Sequence, residues 1–208
     1  MQQKGSLTVI SGFSGAGKGT IVRELLRRHE EYVISVSVTT RSPRAGERDG
    51  IDYHFLSQED FDVLVREDGL LEYAGYVNHS YGTPRRFVEE QIALGRDVIL
   101  EIEVQGARQI REKCPDAISL FILPPSVDEL CRRLNARGTE TQKEIQGRLC
   151  RAREEAKEMS SYDYLIVNDD LDEAVEAVHR TIQTAKRAPF RNSELIQKIT
   201  LQLANLNE

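Results

Sequence analysis

Tryptophan is absent from this 208-residue chain, cysteine occurs three times and proline six. Cys114, Cys131 and Cys150 are odd in number and lack metal-ligand spacing, which excludes a disulfide framework and a zinc ribbon and predicts free thiols in a reducing compartment. His29, His54, His79 and His179 are equally scattered along the chain and read as solvated or hydrogen-bonded side chains. Long apolar runs are missing too. The first apolar stretch, Leu7 to Ile10, is far shorter than a signal-peptide core or a membrane span, so a cytoplasmic protein with no membrane partner is expected. Basic charge is not in excess either: a net charge of -6 argues against a nucleic acid polymer as the main partner. What remains is 39% hydrophobic and 30% charged without a low-complexity tract, the composition of a globular chain whose length suits one domain.

Short β-branched runs alternate with amphipathic stretches. Thr8-Val9-Ile10, Val98-Ile99-Leu100, Leu120 to Leu123 and Leu165-Ile166-Val167 read as strands buried on both faces. Apolar residues at helical spacing predict helices over Lys18 to His29, Pro84 to Leu94, Val104 to Lys113, Val127 to Arg137, Lys143 to Met159 and Asp172 to Lys186. This alternation implies an α/β fold on a parallel sheet. Thr83 before Pro84 reads as a cap and first-turn pair, Ser126 with Glu129 as a capping box, and Gly95 and Gly138 as helix ends. The rhythm breaks between Ser37 and Thr83, where short strands around Tyr53-His54-Phe55 and Leu71-Glu72-Tyr73 flank a helix from Glu59 to Glu67. That segment is expected to be an inserted, partly antiparallel subdomain. After Pro189, a cap at Asn192 or Ser193 and the spacing of Leu195, Ile199 and Leu203 predict a helix that packs on the domain or on another subunit.

Gly12-Phe13-Ser14-Gly15-Ala16-Gly17-Lys18-Gly19-Thr20 follows a buried strand and opens a helix, the context in which a glycine-rich string cradles phosphate. Glycines let backbone N–H groups converge on phosphate oxygens, the helix N-terminus adds a positive field, and Lys18 supplies a full charge to the β- and γ-phosphates of ATP. The general pattern places Ser or Thr directly after the lysine as a magnesium ligand, whereas Gly19 stands there, followed by Thr20. Mg2+ is therefore expected to be held mainly through water and the nucleotide phosphates. A signalling GTPase is disfavoured because no Asn-Lys-x-Asp motif occurs; Asn168-Asp169-Asp170 reads instead as a helix cap with solvated acids.

Ser37-Val38-Thr39-Thr40-Arg41-Ser42-Pro43-Arg44 carries two guanidinium forks suited to an anion gripped bidentately, with hydroxyls nearby to complete its shell. Joined to the cradle, this run resembles the guanylate kinase family. The likeness continues through Leu71-Glu72-Tyr73-Ala74, Ser80-Tyr81-Gly82-Thr83, Val104-Gln105-Gly106-Ala107, Leu123-Pro124-Pro125-Ser126, Arg137-Gly138-Thr139-Glu140 and Val167-Asn168-Asp169-Asp170. The resemblance implies a three-layer P-loop kinase fold and transfer of the ATP γ-phosphoryl group to GMP or dGMP, with magnesium, in purine metabolism. It also implies that Arg41, Arg44, Tyr53 and Tyr81 hold the GMP phosphate, and that Ser37, Glu72 and Thr83, beside Gly82, meet the guanine. Glu101 and Glu103 stand where the family usually has aspartates; the first is expected toward the guanine, the second toward the magnesium and cradle.

By the same resemblance the parts are a core of residues 1–36, 84–134 and 160–190, a GMP-binding insertion over 37–83, a lid region over 135–159 and a helical tail over 191–208. Closure of the lid is expected to bring Arg133, Arg137 and Arg148 onto the transferring group, since a loose transition state asks for alignment and positive charge. Two rivals are a peptide-binding module of the same fold, which loss of Lys18 would mark, and a kinase for another small phosphorylated acceptor, in which Glu72 with Thr83 would have no purpose. Oligomeric state is left open, with a homo-oligomer as one expectation.

Overall fold

The computed structural model describes residues 4–76, 78–136 and 142–207. Its central sheet has five parallel strands in the order β2 (Tyr32–Ile34), β7 (Asp97–Glu101), β1 (Leu7–Gly12), β8 (Ile118–Leu123) and β9 (Tyr164–Val167). Alternate residues of each strand face opposite layers. Ile10, Ile99 and Leu120 join Ile21, Val22 and Leu25 of α1 (Lys18–Arg28) and Val175, Val178 and Ile182 of α7 (Leu171–Ala185). Val9, Val98 and Phe121 face the other way, against Val88 of α3 (Arg85–Ala93) and Ala107 and Ile110 of α4 (Val104–Lys113). Full burial of each such aliphatic side chain stabilises the fold by roughly 1.5–3 kcal/mol, so both faces must be covered. The three-layer α/β fold expected from the sequence is thereby found.

A second, mixed sheet runs β4 (His54–Phe55), β3 (Val38–Thr39), β6 (His79–Pro84) and β5 (Leu70–Tyr76), with α2 (Gln58–Arg66) beside it. It has its own small core of Val38, Phe61 and Leu70, and it docks on α4 where the Tyr73 N–H donates to Gln109 Oε1 and Gln109 Nε2 donates to the Tyr73 carbonyl, at 3.2 and 2.6 Å. Helices α5 (Val127–Ala136) and α6 (Gln142–Ala156) carry Arg133 and Arg148.

Several local expectations change. Strands β2, β3 and β6 are too short or too polar to announce themselves by pattern. Thr83 lies in β6 rather than capping α3, and its hydroxyl turns inward to a buried carboxylate. Ser126 does accept the Glu129 N–H at 3.1 Å, but the Glu129 carboxylate binds Arg132 and Arg133 instead of closing the box. Asp170 caps α7 through the Glu173 N–H at 3.0 Å. The C-terminal α8 (Ser193–Ala204) has no side-chain cap and no buried residue. Arg137 and Gly138, with the rest of 137–141, lie outside the described residues.

Candidate active site

The cradle sits at the carboxyl end of β1, where the chain leaves the sheet between β7 and β8. Chain order along the sheet reverses there, which opens a crevice for a ligand. Close packing explains its glycines. Gly17 adopts φ +93° and a Cβ on it would lie 2.3 Å from Asn168 Nδ2, while one on Gly12 would lie 2.1 Å from the Ile122 carbonyl oxygen. Asn168 Nδ2 donates to the Ala16 carbonyl at 2.7 Å, and Phe13 packs edge-on against Phe121 with centroids 5.0 Å apart. Lys18 Nζ donates to the carbonyls of Gly12 and Phe13 at 2.6 and 3.3 Å. Ser14 accepts from Arg148 at 2.9 Å, and Thr20 accepts from Arg23 at 3.3 Å.

Two cavities meet at Lys18. The smaller, of about 310 Å³, is lined by the cradle from Phe13 to Thr20 except Ala16, which is fully buried. The larger, of about 750 Å³, runs from Lys18 to the mixed sheet and includes Ser37, Arg41, Arg44, Tyr53 and Tyr81. Glu101 and Glu103 line both. A site with a phosphate cradle at one end, cations and hydroxyls at the other and a lysine between them can bring two phosphorylated molecules end to end.

At the acceptor end, Arg41 makes a bidentate pair with Glu47 at 2.7 and 2.9 Å, and its guanidinium stands 5.1 Å from the centre of the Tyr53 ring. The Arg41 contact, helped by the Arg44 N–H, holds the Glu47 carboxyl down at about 2, and burial raises the Tyr53 phenol above its ordinary value. Glu72, 4% exposed, accepts from the Thr83 hydroxyl at 2.6 Å; burial raises its carboxyl, against the pull of that hydrogen bond. A Cβ on Gly106 would come within 2.3 Å of Glu72 Oε2, so glycine is what lets α4 approach the carboxylate.

A guanylate kinase family model matches residues 4–185. A Synechococcus guanylate kinase is 51% identical over 88% of this chain and 98% of its own length, and one from Caldanaerobacter subterraneus is 46% identical over 96% and 97%. The crystal structure of guanylate kinase from Anaplasma phagocytophilum superimposes with a TM-score of 0.76 at 32% identity, covering 92% of this chain and 91% of that one.

The chain belongs to the guanylate kinase family. Its site nevertheless differs from the expectations at Thr83 and Arg133. Thr83 is fully buried and its proton is committed to Glu72, because a buried carboxylate needs a donor more than a solvated base does. The Glu101 carboxylate lines both cavities and lies against Gly19, 3.3 Å from where a Cβ would stand, so it borders the cradle as well as the acceptor pocket; its raised value comes first from burial, with Lys18 lowering it and Glu103 raising it. Arg133 faces the back of the cradle, donating to the Asn168 carbonyl at 2.9 Å and pairing with Glu129 at 2.6 Å. Gly82 is buried under the pocket, close to Leu70 and the Glu72 carbonyl, while the catalytic role expected of Arg137 falls outside the described residues.

Sequence reasoning missed three members of this kinase site. Glu47 orients Arg41, and its place three residues beyond Arg44 was the available signal. Asn168 braces the cradle from 152 residues away, which no local pattern predicts. Glu155 lines the larger cleft with a buried Oε2 that has no hydrogen-bond partner among the described residues; burial raises its carboxyl, with Glu103 adding to and Lys18 opposing the shift.

Proposed function

We infer that this member of the guanylate kinase family transfers the γ-phosphoryl group of ATP to GMP, and to dGMP, with the reaction centred on Lys18. As an ATP:GMP phosphotransferase it forms ADP and GDP. The observation that carries the reading is that Lys18 lines both cavities, between a backbone phosphate cradle and a pocket holding Arg41, Tyr53, Tyr81 and the buried Glu72.

Residues Gly12 to Thr20 bind the ATP phosphates through backbone N–H groups, and Lys18 leaves the Gly12 and Phe13 carbonyls to meet the β- and γ-oxygens. Arg41, Arg44, Tyr53 and Tyr81 take the GMP phosphate. Ser37 and Glu72 read the guanine: one carboxylate accepts from N1–H and the exocyclic amino group, where adenine presents a bare N1 acceptor. Thr83 acts through Glu72, holding its rotamer, rather than on the base. Arg148 reaches the cradle from α6, Arg133 supports the cradle from behind through the Asn168 carbonyl, and the lid over 135–159 and the insertion over 37–83 close on the core.

The residues at the junction fit a hard divalent cation, because Glu101, Glu103 and the orphaned Glu155 oxygen supply only oxygen donors. Glu103, with Glu155 behind it, would hold the water shell of Mg2+, which supplies charge neutralisation along the phosphates. No helix among the described residues is long and apolar enough to cross a membrane. Three free thiols support a cytoplasmic location, and the exposed Leu195, Ile199 and Leu203 of α8 support a homo-oligomer. The deciding experiment is ADP release with magnesium-ATP and each of GMP, dGMP, AMP, CMP and UMP. Turnover with GMP and dGMP is expected, and activity on none of the five would favour a binding module.

A further inference from the structure

On the face away from both cavities, three side chains far apart in sequence come together. His29 caps the end of α1, Glu31 lies in the turn before β2, and His179 lies on α7. The two imidazoles stack with centroids 3.8 Å apart and planes within 9°. Their Nδ1 atoms both face the same carboxylate oxygen, each 3.9 Å from Glu31 Oε1. One ligand atom from each residue lies within 4.8 Å of the other two. The imidazoles are about one-fifth exposed and Glu31 more so, which leaves the cluster open to solvent on one side.

We propose that His29, Glu31 and His179 form a binding site for a divalent transition-metal ion of the zinc, cobalt or nickel type. Two imidazole nitrogens with one carboxylate oxygen are the donors such ions prefer, whereas magnesium and calcium prefer oxygen alone. Metal–ligand distances near 2.1 Å place tetrahedral ligands about 3.4 Å apart, so the 3.9 Å separations must shrink by roughly half an ångström. The stacked rings must also tilt so that their in-plane lone pairs converge. Both adjustments are side-chain rotations, of His29 at a helix end, Glu31 in a turn and His179 on α7.

Tyr32 makes the ring nitrogen of His179 a usable ligand. Its oxygen accepts from Gln183 Nε2 at 3.1 Å and lies 2.9 Å from His179 Nδ1, so in the tautomer protonated on Nε2 the phenol donates to Nδ1 and that nitrogen carries the lone pair a metal needs. A metal ion takes over this lone pair, and the phenol proton turns to water or to Glu31. Water fills the remaining coordination position. The bound ion would pin the C-terminal end of α1, whose first residue is Lys18, to α7.

The test uses the full-length protein without nucleotide, titrated with cobalt(II) and followed by visible absorption, then displaced with zinc(II). One equivalent is expected to bind, giving d–d bands and no thiolate-to-cobalt charge transfer. His29→Gln/His179→Gln should weaken binding at least tenfold, in line with the cost of disturbing metal-site residues, while turnover with magnesium-ATP and GMP stays within about twofold. His29→Gln alone, which leaves α7 unchanged, should also weaken binding and keeps the test valid if the double variant misfolds. Thiolate charge transfer, equal binding by wild type and variants, or no cobalt binding below millimolar concentration would each overturn the site.

Discussion

The two ends of the cleft are built on different principles. On the function proposed above, the donor end is a run of consecutive residues, Gly12 to Thr20, that offers mainly backbone N–H groups, held in place by Gly12, Gly15 and Gly17, whose positive φ and close neighbours leave no room for a Cβ. The acceptor end is assembled from β3, β5, β6, the loop after β3 and the edge of α4, and its ligating groups are side chains with their own partners: Glu72 with Thr83, and Arg41 with Glu47 and Tyr53. A backbone cradle tolerates any nucleotide that brings the right phosphates. Side chains in polar pairs are what choose a base, because each must find a partner in the ligand or be left unpaired.

The sharpest way to break the donor end is Lys18→Met. A cation that reaches the β- and γ-oxygens has no substitute in a thioether, so turnover should fall by about 10³-fold or more with GMP affinity nearly unchanged. Steady-state kinetics beside calorimetric GMP binding read both, and near wild-type turnover would remove Lys18 from the reaction.

Glu72→Gln tests the acceptor end. Efficiency with GMP should drop by about 10²-fold, the GMP-to-AMP preference should narrow, and ATP affinity should hold, because the change replaces one acceptor with a donor inside an unchanged shape. Its stability effect has the opposite sign. Burial raises the Glu72 carboxyl in the folded chain, so the group favours folding at low pH and loses that contribution as pH rises through its folded value. The ligand-free variant should therefore melt higher than wild type at neutral pH, with the gap closing toward pH 4. Thermal melts across that range decide it, and a pH-independent gap would place the effect elsewhere.

Asn168→Ala probes whether the cradle needs its distant brace. The Ala16 carbonyl loses its buried donor, at a cost of about 1–3 kcal/mol in denaturant unfolding, and the KM for ATP should rise by about tenfold while that for GMP stays put. An equal rise in both would mean that Asn168 supports the whole cleft. The smallest effect is expected for Gly19→Ser. Its Cβ would stand 3.3 Å from Glu101 Oε1, the far end of a flexible side chain that can yield, so turnover should stay within about threefold while the magnesium concentration for half-maximal rate shifts. Abolished ATP binding would show that bare backbone is required there.

Sequence by itself determined the parts whose physics is local. The cradle is contiguous, its flanking strand and helix have strong apolar periodicity, and α4 was bounded correctly at both ends because Val104 to Lys113 has a clear apolar stripe. The arginine run stands out for the same reason, and Arg41 and Arg44 both line the larger cavity. Only the tertiary structure decided matters of proximity. Strands β2, β3 and β6 owe their existence to neighbours that complete their hydrogen bonds, so propensity could not announce them. Thr83 read as a cap until β5 set the Glu72 carboxylate 2.6 Å from its hydroxyl. Glu101 reads as an acceptor-side residue, and only the end of β7 beside Gly19 shows that it borders the cradle as well. His29 and His179, 150 positions apart in the sequence, look unrelated along the chain and stack only because α1 and α7 pack side by side on one face of the sheet. A pattern within one element records what that element must bury. Which side chains meet across elements depends on how the layers pack, and no spacing within either segment records it.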